Sequence, residues 1–180
     1  MRLDAQWVAG FVDGEGCFHV SIVPHPEMTA GVQVLPEFTV VQHQRNIQVL
    51  HALKAYFRCG VVRRNHGDWM CYRVRNLKHL SEIIIPFFDR HPLKTHKRVD
   101  YITFRRVVEV MKRKGHLTPD GVARIRSLAA TMNRRAIKVK SDCSGNGTDQ
   151  SSEIPCRVSS DPHESCNDRS AVSVRDSAKL

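Results

Sequence analysis

Val8-Ala9-Gly10-Phe11-Val12-Asp13-Gly14-Glu15-Gly16 sets small residues inside a helical pattern and an acid at its end. Asp4 is placed to cap that helix, and Trp7, Val8, Phe11 and Val12 supply its apolar residues. Ala9, Gly10 and Gly14 leave part of the helix nearly bare of side chains, at a propensity cost of roughly 1 kcal/mol per glycine. Such a surface suits a second helix approaching backbone to backbone. Two helices of this kind side by side bring two copies of Glu15 together, and adjacent carboxylates repel unless hard cations lie between them. Mg²⁺ favours that oxygen-rich, partly hydrated coordination.

Outward from this segment, the periodicity switches to two. Cys17 to Val23 alternates, with Phe18, Val20 and Ile22 on one face and Cys17, His19, Ser21 and Val23 on the other. Val32 to His43 reads as the returning strand, with Phe38 and Val40 inward, Glu37 and Thr39 outward, and Pro36 expected to force an edge position or a bulge. Asn46 is expected to cap a second helix bearing the stripe Ile47, Leu50, Leu53 and Phe57. A second hairpin follows Gly60 and turns at His66-Gly67-Asp68. In it Met70, Tyr72 and Val74 point one way and Cys71, Arg73 and Arg75 the other, with Arg63 and Asn65 sharing the polar face. Helices are predicted over Leu77 to Asp89, Thr95 to Lys114 and Gly121 to Met132. The class is α+β: helix, two strands, helix, two strands, helices, with a four-stranded antiparallel sheet whose apolar face takes the helices.

Charge is unevenly spread over the 180 residues. Residues 1–140 hold 24 Lys and Arg against 11 Asp and Glu, whereas residues 141–180 hold 4 against 7. The first part therefore carries the electrostatic footprint of a polyanion binder, with nucleic acid the first candidate and an anionic membrane surface the second. A twisted antiparallel face lined with donors and acceptors fits the DNA major groove, where base edges carry a distinguishable code. Residues 141–180 contain ten serines and few bulky apolar side chains, so a disordered tail is expected there, with Cys143, Cys156, His163 and Cys166 matching no zinc spacing. One domain over 1–140 and a tail over 141–180 are the expected divisions. No apolar run approaches the roughly 18 residues needed to span a bilayer, the N-terminus lacks a secretory layout, and the six cysteines are expected to be reduced.

Residues 8–16 resemble the nine-residue signature of the LAGLIDADG homing endonucleases, with Asp13 and Glu15 at its two acidic positions. The element order resembles that family's αββαββα core. His91-Pro92-Leu93-Lys94-Thr95-His96-Lys97-Arg98, with Asp100 and Phe104, resembles its Pro-Leu-x-Thr-Lys-Lys stretch. The likeness covers roughly residues 3–135. It implies that Glu15 and the Gly14 carbonyl hold catalytic Mg²⁺ ions, that Gln42 orients the attacking water, and that Ala9 and Gly10 form a helix–helix interface braced by Asp13. In the later stretch His96 replaces one of two lysines while Lys97 is kept, so His96, Lys97 and Lys94 all stay open for the basic role. Taken alone, Glu15 is an ordinary solvated helix end, His96 a surface residue and Gln42 the end of a strand; the surrounding pattern singles them out.

Only one copy of the signature occurs, so the resemblance implies the single-motif type, a C2 homodimer on pseudo-palindromic double-stranded DNA. His19, Ser21, Gln33, Thr39, Arg63, Asn65, Arg73 and Arg75 are the expected base-reading residues. The implied outcome is a metal-dependent double-strand break with short 3′ overhangs, serving the homing of a group I intron. Two other functions stay open: an RNA maturase binding its own intron RNA, and a regulator that binds DNA without cutting it. A bacterial, plastid or mitochondrial setting fits equally.

Overall fold

Asp4 accepts a hydrogen bond from the Trp7 backbone N–H at 2.9 Å and opens α1 (Ala5–Glu15), as the capping pattern predicts. The computed structural model describes residues 2–133; the serine-rich segment and its cysteines, together with the boundary expected at 140, lie outside the described residues. After α1 come β1 (Gly16–Pro24), β2 (Val32–His43), α2 (Ile47–Phe57), β3 (Val61–His66) and β4 (Trp69–Val74). Helical segments complete the described chain: α3 (Leu77–His79), a π-helical turn (Leu80–Ile84), α4 (Ile85–Arg90), α5 (Lys97–Lys112) and α6 (Pro119–Ala129).

The strands form one antiparallel sheet in the order β1-β2-β4-β3. Register puts Phe18 opposite Phe38 and Phe38 opposite Val74, and these side chains share the buried face with Val20, Val34, Val40 and Tyr72. Val8 and Val12 of α1, Leu50, Leu53 and Phe57 of α2, Phe88 of α4 and Phe104 of α5 join them in one core. Phe18 stacks on Phe38 at 5.1 Å and meets Phe88 edge-on at 5.5 Å. Aromatic pairs of this kind add about 0.5–1.5 kcal/mol to simple burial.

The edge position expected at Pro36 is present, and other local expectations change. β2 is a central strand, yet Pro36 is tolerated because β4 joins β2 only from Phe38 onward; at Pro36 the strand is locally an edge, and its register with β1 is unbroken. Asn46 precedes α2 but makes no capping hydrogen bond; its side-chain amide donates to Gln42 Oε1 at 3.4 Å. The helix expected over Leu77 to Asp89 is interrupted by the π turn. Pro86 cannot donate to the carbonyl four residues back, and the Ile85 N–H before it bonds to the Leu80 carbonyl, five residues back. Finally, α5 starts at Lys97, leaving Thr95 and His96 in the approach to it, and α6 stops at Ala129 short of Met132.

Among the described residues no helix is long and apolar enough to cross a membrane, and Cys59 and Cys71 are free thiols.

Candidate active site and nucleic-acid interface

The foot of α1 runs straight into β1 with no loop. Gly16 makes this possible: a Cβ there would lie 2.6 Å from Val12 Cγ1 and 2.8 Å from the Val12 carbonyl oxygen. Because Gly16 pairs with Val40, the end of β2 passes beside the end of α1. Gln42 therefore reaches Glu15, its Nε2 donating to Glu15 Oε2 at 3.1 Å. Glu15 itself is exposed at the helix end.

A second approach comes from the segment before α5. Asp13 accepts from the Lys94 amide at 2.8 Å, from the Thr95 amide at 3.0 Å and from Thr95 Oγ1 at 2.6 Å. Burial opposes ionisation of Asp13, but the Thr95 hydroxyl, the two amides and the Lys97 charge outweigh it and hold the carboxyl below its ordinary range. Thr95 Oγ1 in turn accepts from the Lys97 amide at 3.2 Å. Lys97 Nζ then donates to the carbonyls of Val12 at 3.1 Å and Gly14 at 2.9 Å. Of the three basic residues left open by the sequence, Lys97 is the one whose side chain reaches the foot of α1. His96 is exposed, and its side chain forms no hydrogen bond at the N-cap position of α5.

Glu15, the Gly14 carbonyl and the Gln42 amide are hard oxygen donors of the kind Mg²⁺ or Ca²⁺ takes. They are too few for a closed site: among the described residues no three His, Cys, Asp or Glu cluster to hold a metal. The donor set fits a hard cation that takes its remaining ligands from groups other than these.

The expected interface residues separate. Ala9 is 6% exposed and shares the buried side of α1 with Val8 and Val12, because positions i, i+1 and i+4 fall within about 100° of arc. It therefore faces its own core, not a second helix, and Asp13 is committed to the Lys94–Thr95 segment. Gly10 lies on the opposite side with Trp7, Phe11 and Gly14. A Cβ at Gly10 or Gly14 would meet nothing within 4 Å, and Trp7, 41% exposed, stacks on Phe11 at 4.8 Å. This open apolar stripe was legible only in part, since Trp7 and Phe11 also fit a core reading.

The polar face of the sheet collects nearly all the predicted base-reading residues. Register places His19 opposite Glu37, Val23 opposite Gln33, Thr39 opposite Arg73 and Arg63 opposite Cys71; Ser21, two residues from His19, shares their face. Asn65 departs from the alternation: the register shifts between Arg64 and His66, so it is the extra residue of a bulge, and its Nδ2 lies 3.1 Å from His66 Nδ1. Thr39 is buried at 7% exposure, which limits its reach. His19 Nε2 lies 3.0 Å from Ser21 Oγ, and burial lowers the His19 pKa against the opposing pull of Glu37. His43, Trp69 and His66 line the same face near the β3–β4 turn, with ring centroids 5.7 Å and 6.4 Å apart. Sequence reading passed over these rings, and also over Glu37, which pairs with both Arg73 and Arg75.

A basic antiparallel sheet backed by helices, with a glycine-bearing helix delivering a carboxylate to one corner, defines an αββαββα domain. The model of the LAGLIDADG endonuclease family matches residues 8–108, more than half of the chain, and the chain belongs to that family. It is 33% identical over 118 residues to an uncharacterized 50.9 kDa protein in ND4 intron 1 of Podospora anserina, covering 64% of this chain and 26% of the relative. The chain spans about a quarter of the length of this relative and of a probable intron-encoded endonuclease of Neurospora crassa. Among solved structures, the homing endonuclease I-TnaI shares 50% identity and superposes with TM-score 0.72 over 74% of this chain and 90% of its own. I-SmaMI bound to uncleaveable DNA shares 33% identity with TM-score 0.71, over 73% of this chain and 45% of its own.

Proposed function

We propose that this chain is a site-specific DNA endonuclease that acts as a homodimer on a long pseudo-palindromic duplex and makes a Mg²⁺-dependent double-strand break. The observation that carries the reading is the convergence of Gln42 on Glu15 and of Lys97 on Gly14, next to the open stripe of Trp7, Gly10, Phe11 and Gly14. A second copy packed on that stripe would set two Glu15 carboxylates side by side.

Glu15 and the Gly14 carbonyl would hold the metal. When bound, Mg²⁺ supplies an acidified water and charge neutralisation at the phosphodiester. Gln42 keeps the Glu15 carboxylate aimed and offers an amide to orient the attacking water. Lys97 brings a fixed ammonium against the reacting phosphate, where developing negative charge is greatest. The polar sheet face would lie in the major groove and read base edges through Arg63, Arg75, His19, Ser21, Gln33 and Asn65, with the more buried Arg73 and Thr39 behind them. The location of the Podospora relative in ND4 intron 1 supports a role in the homing of a group I intron.

The test is incubation of the full chain with duplex DNA carrying its uninterrupted host-gene site, with Mg²⁺ or EDTA, followed by mapping of the ends. Cleavage on both strands with short 3′ overhangs, abolished by EDTA and by Glu15→Gln while duplex binding persists, supports the reading. Specific binding without cleavage under any divalent ion favours a DNA-binding regulator, and preference for intron RNA over duplex favours a maturase. A monomeric mass on the DNA refutes the dimer.

A further inference from the structure

A buried carboxylate is out of place on a face built to meet a polyanion. Glu37 lies on the central strand β2, its side chain 6% exposed, in the middle of the basic sheet surface. Removing an anion from water costs several kcal/mol unless it is paired and hydrogen-bonded. Here two guanidiniums pair with it: Arg73 Nε lies 3.2 Å from Glu37 Oε1, and Arg75 Nε donates to Glu37 Oε2.

The two arginines are not equivalent. Arg73 is 14% exposed, opposite Thr39 within the β2–β4 ladder, and its Nε stands at ion-pair distance without hydrogen-bond alignment. Arg75 is one residue beyond the end of β4 and 48% exposed. With its Nε anchored on Glu37, the guanidinium plane of Arg75 is held and its two terminal nitrogens remain free. Paired terminal N–H donors in one plane match the O6 and N7 acceptors on the major-groove edge of guanine. A flexible arginine must lose its side-chain freedom on binding; one already held by a carboxylate has lost it beforehand.

We propose that Glu37 is a positioning residue for base recognition: it fixes Arg75 as a guanine-reading group and retains Arg73 as its buried counter-ion. The proposal rests on the DNA-reading role of this face. It divides the predicted arginines into one that reads and one that supports, a distinction that composition and alternation leave open.

The experiment is selection of bound duplexes by the full chain from a randomised pool in EDTA, so that binding is read apart from cleavage, with sequencing of the enriched pool. The wild-type chain should enrich guanine at a position that Arg75→Ala relaxes by about tenfold. Glu37→Gln should relax the same position, and Arg73→Ala should relax it less than Arg75→Ala does. The double variant Glu37→Gln with Arg75→Ala should lose nothing further there, as expected for residues acting as a unit. Arg75→Lys keeps the charge and leaves the buried carboxylate in place but lacks the planar fork, so it should also lose the guanine preference. A Glu37→Gln profile that superimposes on wild type, or one altered at positions Arg75→Ala does not touch, overturns the proposal. So does an Arg75→Lys profile that keeps the guanine. If the wild-type chain enriches no sequence at all, the DNA-reading role of the face fails with it.

Discussion

Lys97 Nζ donates to the carbonyl of Gly14 at 2.9 Å, joining the start of α5 to the last turn of α1 across 83 positions of sequence. That carbonyl is among the helix-end acceptors left without an intrahelical donor. The ammonium is thereby fixed at the foot of α1. The same nitrogen bonds to the Val12 carbonyl at 3.1 Å, so its position is set from two directions.

Lys97→Met should therefore lower the single-turnover cleavage rate about 100-fold or more, in line with removal of one preorganised charge-stabilising donor, while duplex affinity changes little. His96→Ala should stay within a few-fold of wild type, because His96 is exposed and its side chain makes no capping hydrogen bond on α5. Rates measured at saturating enzyme separate the two; equal losses would return His96 to the candidate list.

Gly10 has open space where a Cβ would project. Gly10→Leu should leave the thermal unfolding of the isolated chain unchanged or slightly raised, since leaving glycine in a helix gains up to about 1 kcal/mol. Dimerisation should weaken through overpacking. Sedimentation at several concentrations reads the second effect, and an unaltered dimer would remove the stripe from the interface.

Asp13 accepts hydrogen bonds from the Lys94 and Thr95 amides and the Thr95 hydroxyl, and its carboxyl titrates below the ordinary range. A group whose folded pKa is depressed contributes stability above its unfolded pKa and loses it as pH falls through the folded value. Asp13→Asn should accordingly be less stable than wild type at neutral pH, with the gap narrowing as pH drops below the ordinary aspartate range. Urea unfolding at a series of pH values checks the sign; a gap that widens in acid contradicts it.

Phe18 is fully buried and touches the rings of Phe38, Phe88, Tyr101 and Phe104. Phe18→Ala should cost about 3–5 kcal/mol. Ile22→Val, at the half-buried end of the same strand face, should cost at most about 1.5 kcal/mol. Chemical denaturation of both variants tests whether the core is centred where the rings meet.

What the order of amino acids determines by itself is local. Asp4 caps α1 three residues ahead of its donor, strand alternation sorts Phe18 from His19, and Thr118 accepts from the Gly121 amide to start α6. Each depends on neighbours within one turn or one pleat, where side-chain spacing decides the outcome. The nine-residue segment likewise named Glu15, and alternation put Arg63, Arg73 and Arg75 on one face. Asn46 escaped this reading because its side chain turns back to Gln42, four residues earlier, and makes no capping hydrogen bond.

Encounters between distant segments were decided by tertiary structure alone. Asp13 finds Lys94 across 81 positions, Glu37 finds Arg75 across 38, and the Asn133 side chain reaches the Phe18 carbonyl across 115. Such pairs depend on strand register and helix placement, and a register slip of one residue would turn every side chain of a strand to the other face. No local pattern carries that information. The choice of Lys97 over His96, the burial of Ala9 and the capture of two arginines by one carboxylate all follow from how the packed core sets these long-range distances.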